Sequence, residues 1–186
     1  MVLGVMSDTH GNLENLRQAL REIQSKHNTD LFIHLGDDYD DAQVFEEFGC
    51  AYLRVPGVYS DYYAESSVPN RLVKSFEGWR LLLSHTDRSH ANDLAEDLRP
   101  QELIDAKQID VVLYGHSHIP RLHTEKGILF INPGHLKVED KKGYTPSYGV
   151  VSIARDRIKA QIIGLGSHEV LGEIDFKKVK DDQRAR

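Results

Sequence analysis

The opening stretch, residues 1–55, alternates apolar runs of two different periods, and that pattern narrows the folds open to the chain. Val2, Leu3, Val5 and Met6 make a short apolar run that stops at the polar turn 7–12. Leu13, Leu16, Leu20 and Ile23 then recur at helical spacing, which predicts an amphipathic helix over residues 13–26 with Asn12 as its N-cap. Residues 31–35 read as the next strand, ended by Gly36-Asp37-Asp38. Val44, Phe45 and Phe48 mark a short helix, and residues 51–55 a third strand stopped by Pro56-Gly57. A strand–helix–strand–helix–strand opening predicts neighbouring parallel strands with right-handed crossovers.

The character then changes. Residues 71–76 and 79–84 flank the turn Glu77-Gly78 and read as a hairpin. Ala91, Leu94, Ala95 and Leu98 lie on one face of an expected helix, and Pro100 starts a further short one. Residues 110–114 form a buried-type strand ending at Gly115. Short runs at 119–124, 128–131, 147–153 and 157–163 come next, so the second half reads as mostly antiparallel. One α/β architecture accommodates both halves: a four-layer α/β/β/α sandwich, two mixed sheets face to face with helices outside. A single domain is expected over residues 1–176, with a charged segment, 177–186, that frays.

No apolar run approaches the roughly 18 residues of a membrane-spanning helix. The first residues lack the basic leader of a signal peptide and read as a strand. Cys50 is the single cysteine, so no internal disulfide or cysteine-rich zinc site forms, and a reducing, cytoplasmic setting is expected. The net charge of -6 argues against a general nucleic-acid binder.

Metal-ligand residue types recur just after strand ends. Asp8 and His10 come after the first strand, Asp37 after the second, His85 after the strand 79–84, and His116 and His118 after the strand 110–114. Loops that leave the carboxyl ends of strands line the functional crevice of an α/β sheet, so these residues can converge. Two carboxylates and several imidazoles suit borderline divalent ions: manganese first, with nickel, iron or zinc as alternatives. One carboxylate shared by two such ions would hold them about 3.5–4 Å apart, the spacing of two-metal hydrolases. The excess positive charge would match a small, anionic phosphate-ester substrate.

The ordered set Asp8-Thr9-His10-Gly11-Asn12, Gly36-Asp37, His85 and Gly115-His116-Ser117-His118 resembles the calcineurin-like metallophosphoesterase superfamily. The short length and Asn132-Pro133-Gly134 are similar to its small bacterial and archaeal phosphodiesterase branch, and the resemblance runs from residue 1 to about 163. It implies a first metal on Asp8, His10 and His118, a bridging Asp37, and a second metal on His85, His116 and an asparagine that follows glycine. The implied reaction is in-line attack on phosphorus by a hydroxide bridging the two ions, with His10 helping to stabilise charge on the phosphoryl oxygens.

The sequence departs from this pattern at Val58, which stands where that asparagine belongs. Ser60, Asp61 or the Tyr59 hydroxyl takes its place, or water does. The motif that commonly reads Asn-Pro-Gly-Ser ends here in His135, a candidate leaving-group acid. His34 reads as a core or supporting histidine rather than a ligand. His27, His90, His123 and His168 read as solvated, and Cys50 as a small buried hydrophobe. Tyr59, Tyr62 and Tyr63 line a substrate pocket or cover a contact between copies in a homo-oligomer; the sequence does not separate the two. The alternative function is a non-catalytic protein-interaction scaffold, similar to the retromer subunit that looks like this fold with a degraded metal site. Nucleases of the double-strand-break repair type are longer and carry DNA-binding regions this chain lacks.

Overall fold

Strand β1 (Val2–Met6) leads into helix α1 (Leu13–Lys26), then β2 (Leu31–His34), the short helix α2 (Val44–Glu47) and β3 (Tyr52–Arg54). The computed structural model describes residues 1–178. The hairpin β4 (Arg71–Phe76) and β5 (Trp79–Ser84) comes next, then α3 (Pro100–Asp105), β6 (Val111–Leu113), β7 (Arg121–Glu125), β8 (Ile128–Asn132), β9 (Ser147–Ala154), β10 (Arg157–Gly164) and β11 (Val170–Lys177). A six-stranded sheet has the order β11-β10-β9-β1-β2-β3, and a five-stranded sheet the order β4-β5-β6-β8-β7. β1, β2 and β3 are parallel, as the opening pattern requires, and α1 is N-capped by Asn12, whose Oδ1 accepts from the Asn15 N–H at 3.2 Å. The second half is less antiparallel than its sequence suggests. β5, β6 and β8 are mutually parallel at the centre of their sheet.

Three apolar clusters separate the four layers. Between the sheets, Leu3, Val5, Ile33 and Leu35 face Trp79, Leu81, Leu83, Val111, Leu113, Leu129 and Ile131, all at 0% exposure. Each such side chain contributes roughly 1.5–3 kcal/mol on burial. Outside the larger sheet, Leu16, Ala19, Leu20 and Ile23 of α1 pack on Phe32, Tyr148 and Val150. Outside the smaller one, Leu103 and Ile104 of α3 pack against Leu82, Val112 and Phe130.

Two expectations change. No helix forms over residues 91–98, which are turns and bends. Asp93 accepts from the His90 N–H at 3.0 Å and Asp97 from the Leu94 N–H at 2.8 Å, so carboxylates take up amides that a helix would have used. The segment is pinned instead by the Arg71–Asp93 ion pair, with both side chains 1% exposed. Strand β11 is an addition to the expected elements. Only Ile174 and Phe176 pack against the inter-sheet core, and the outward residues Glu173, Asp175 and Lys177 are charged, with Leu171 exposed at the strand's start. Of the charged segment expected to fray, Lys177 ends β11 and the Lys178 N–H donates to the Asp156 carbonyl at 2.9 Å; residues 179–186 lie outside those described.

Candidate metal centre

The loops after β1, β2, β5 and β6 meet at one end of the two sheets and carry all six predicted donors. Asp8 is fully buried, and both of its carboxylate oxygens accept the backbone N–H of His116, at 3.1 and 2.9 Å. Gly115 makes that approach feasible, because a Cβ there would collide with Ser7 Oγ and Asp8 Oδ2. Gly36 does the same for His85: its φ is +95°, and a Cβ would lie 2.8 Å from His85 Nδ1. Asp8, His10, His116 and His118 themselves have φ of 55°, 49°, 62° and 60°. Left-handed backbone at four non-glycine positions is costly, and the surrounding packing sustains it where the side chains converge.

Donor atoms of Asp8, His10, Asp37 and His118 all lie within 4.8 Å of one another. His10 Nε2 and His118 Nε2 face each other at 3.0 Å, and His10 Nε2 is 2.5 Å from Asp37 Oδ2. That buried oxygen makes no hydrogen bond of proper direction despite the short separation. Two ring nitrogens crowded together beside a carboxylate oxygen that has no directed bond are what a shared cation would satisfy, so the residues fit one. The other oxygen of Asp37 turns to a second set: Oδ1 is 3.1 Å from His85 Nε2, which is 3.2 Å from His116 Nδ1. His85 Nδ1–H donates to the Leu35 carbonyl at 2.7 Å, leaving the Nε2 lone pair free to face the site.

Burial opposes the charge on Asp37, yet His10 and His85 outweigh it and hold the carboxyl well below its usual range. His118 is pulled up by its bond to Asp8, against burial and with help from Asp140. His116 is lowered by burial and by neighbouring His85.

Residues not singled out from the sequence support this set. Asp140 Oδ1 lies 2.7 Å from His118 Nδ1. Asp41 accepts from Thr9 Oγ1 at 2.5 Å and from the Gly11 N–H at 2.9 Å, anchoring the 8–12 turn. With the Thr9 proton given to Asp41, His34 Nε2 must donate to Thr9 Oγ1 at 3.2 Å. Burial takes His34 down to about 4, so it is a neutral support beneath the site. Asp140 sits in a charge-rich loop and Asp41 in the short 3-10 turn Tyr39–Gln43, and neither carries a periodicity to mark it.

The remaining candidates are not among the six donors, although the His135 ring lies beside that of His118, with centroids 5.4 Å apart. His135 is fully buried and both its nitrogens are engaged: Nδ1 accepts from the Lys137 N–H at 3.1 Å, and Nε2–H donates to the Tyr144 carbonyl at 3.0 Å. Ser60 and Asp61 line a surface recess with Asp38, Tyr39, Asp40, Tyr59 and Tyr62. Of the three tyrosines, Tyr63 is buried and donates to Asp93 at 2.6 Å, Tyr62 donates to Asp40 at 2.8 Å, and Tyr59, 75% exposed, stands 6.2 Å from the His116 ring.

Residues 1–156 match the calcineurin-like phosphoesterase superfamily domain. The chain belongs to that superfamily. Among curated calcineurin-like relatives, a phosphodiesterase of Methanocaldococcus jannaschii is 26% identical over 148 residues, covering 72% of this chain and 83% of that protein. Among solved structures, the phosphoesterase Yfce from E. coli superposes with a TM-score of 0.67 at 23% identity, covering 95% of this chain and 100% of that one. Wild-type Vps29 of Entamoeba histolytica, complexed with zinc, gives 0.67 at 15% identity over the same shares, 95% and 100%. The last two are likenesses of fold. Within the superfamily this chain stands with small archaeal and bacterial members.

Proposed function

We propose that the chain is a metal-dependent phosphoesterase acting on phosphodiesters, and Asp37 is the observation that carries this reading. One carboxylate connects two donor sets, with Oδ2 toward His10 and Oδ1 toward His85. In this reading Asp8, His10, Asp37 and His118 hold one ion, and Asp37, His85 and His116 a second, manganese being the best match and nickel, iron or zinc the alternatives. Bound there, the ions would supply Lewis acidity and an acidified water. Two dications outweigh the charges of Asp8 and Asp37, so the loaded site is positive and attracts a phosphate ester.

The chain's own residues do the rest. Asp37 stays ionised because His10 and His85 hold its carboxyl low against burial. His10 has the most open ring of the first set, 36% exposed, and in this reading helps to stabilise charge on the phosphoryl oxygens. With both nitrogens engaged, His135 is assigned to holding the loop through Tyr144 rather than to protonating a leaving group. Ser60 and Asp61 open on the recess that Asp38 and Tyr59 also line, and this reading gives neither of them a metal to hold.

The rival scaffold reading draws on the Vps29 likeness. That structure holds zinc, so metal binding alone does not separate the two readings; turnover does. Protein stripped by chelator is expected not to hydrolyse an aryl phosphodiester and to regain hydrolysis with manganese. Full activity in excess chelator would sink the metal mechanism. Metal uptake without turnover on any ester offered would favour the scaffold. Among the described residues no helix is long and apolar enough to cross a membrane.

A further inference from the structure

One predicted donor of the second set is missing, and the structure shows what surrounds its place. Val58 is buried, 1% exposed, and its carbonyl accepts from Asn92 Nδ2 at 2.8 Å. That bond ties the loop 57–61 to the loop 85–99. The same two loops deliver a pair of rings. Tyr59 and His90 meet edge to face with centroids 5.7 Å apart, and they lie 6.2 and 6.1 Å from the His116 ring. Three rings thus form a near-equilateral triangle beside the second donor set.

The segment that presents His90 is braced. Asp93 accepts the His90 N–H at 3.0 Å and is gripped by Arg71 at 2.9 Å and Arg99 at 3.0 Å. The Asn92 N–H donates to His90 Nδ1 at 3.2 Å. A backbone amide has only a proton to give, so Nδ1 must be the acceptor, and the neutral ring carries its own proton on Nε2. This separates two roles. His85, with Nδ1–H on a carbonyl, offers a lone pair at Nε2. His90 has the opposite tautomer and offers an N–H, which cannot ligate a cation but can donate to oxygen.

We propose that His90 is a phosphate-binding residue of this site. Its Nε2–H donates to a non-bridging oxygen of the phosphoryl group held beside His116, and Tyr59 walls the ring in place. The inference rests on the phosphoesterase reading. A hydrogen bond to a charged oxygen is worth about ten- to a hundredfold in affinity.

Inorganic phosphate titrated calorimetrically into manganese-loaded protein tests it. His90→Ala is expected to weaken phosphate by that factor and leave manganese affinity unchanged, and His90→Gln, which keeps a side-chain N–H, to recover part of the loss. In the unaltered protein, the His90 Nε2–H resonance is expected to shift when phosphate is added. Parental phosphate affinity in His90→Ala, or a resonance that phosphate does not move, overturns the proposal and leaves the phosphoesterase reading standing. Loss of manganese from His90→Ala overturns it too, since the ring is then a ligand. A parent that takes up no phosphate in the presence of manganese sinks both.

Discussion

His118 is oriented as a donor from behind. Its Nδ1 meets Asp140 at 2.7 Å while its Nε2 faces Asp8 at 3.2 Å, so the ring is fixed between two carboxylates. Asp140 is itself held: its side chain is only 4% exposed, and the Lys142 N–H donates to Oδ2 at 2.8 Å. A carboxylate behind a metal-binding imidazole sets the tautomer and raises basicity, and losing one costs about ten- to a hundredfold in metal affinity. Asp140→Ala is therefore expected to weaken the first metal by that factor, with the fold intact; parental manganese affinity in a calorimetric titration would refute the role. The convergence of the six proposed donors was legible because each comes after an apolar run at a strand end. Asp140 and His90 were not, because their partners lie far off in sequence, and only the folded loops bring a solvated-looking residue against His118 or His116.

At the scale of elements, the segment 85–99 shows local pattern losing to a buried charge. Ala91, Leu94, Ala95 and Leu98 have helical spacing, but Arg71 reaches from β4 to Asp93 and the backbone turns around that pair. Periodicity reports which face could be buried; it carries no information about a cation arriving from a distant strand. The opening β1-α1-β2 unit read correctly because its apolar spacing and its N-cap agree. β11 escaped notice because its inward residues, Ile174 and Phe176, alternate with charges after a glycine. The Asp93 pair makes a pH prediction. Burial pushes the Asp93 carboxyl up, but Arg71 and Tyr63 outweigh it and hold it below the usual range. A carboxyl depressed in the folded state adds stability above its unfolded value of about 3.9 and loses that contribution as pH falls through the folded value. Asp93→Asn should lower stability near neutrality and flatten the loss of stability below about pH 4, as read from urea unfolding across pH. An acid limb identical to the parent's would show that the carboxylate is not coupled to folding.

For the whole molecule, the site is a property of two docked sheets. Asp8, His10 and Asp37 come from loops of the six-stranded sheet, and His85, His116 and His118 from loops of the five-stranded one. An ion that binds only this arrangement stabilises it by about 2.7 kcal/mol at a hundred times its dissociation constant. In a domain of this size that corresponds to roughly 5–10 °C in Tm. Manganese should raise Tm by about that much in the parent and by much less in Asp37→Asn, which weakens both halves at once; equal shifts in a thermal melt would mean the ions bind elsewhere. The same layout bears on synthesis. β1 lies between β2 and β9, and Val2 pairs with Ser152. At about 5–20 residues per second, a ribosome takes roughly 8–30 s to make the stretch between those partners. Throughout that interval one edge of β1 has no native strand to meet. The nascent chain thus carries an open template for β-pairing with its neighbours on a polysome, closed only when β9 emerges.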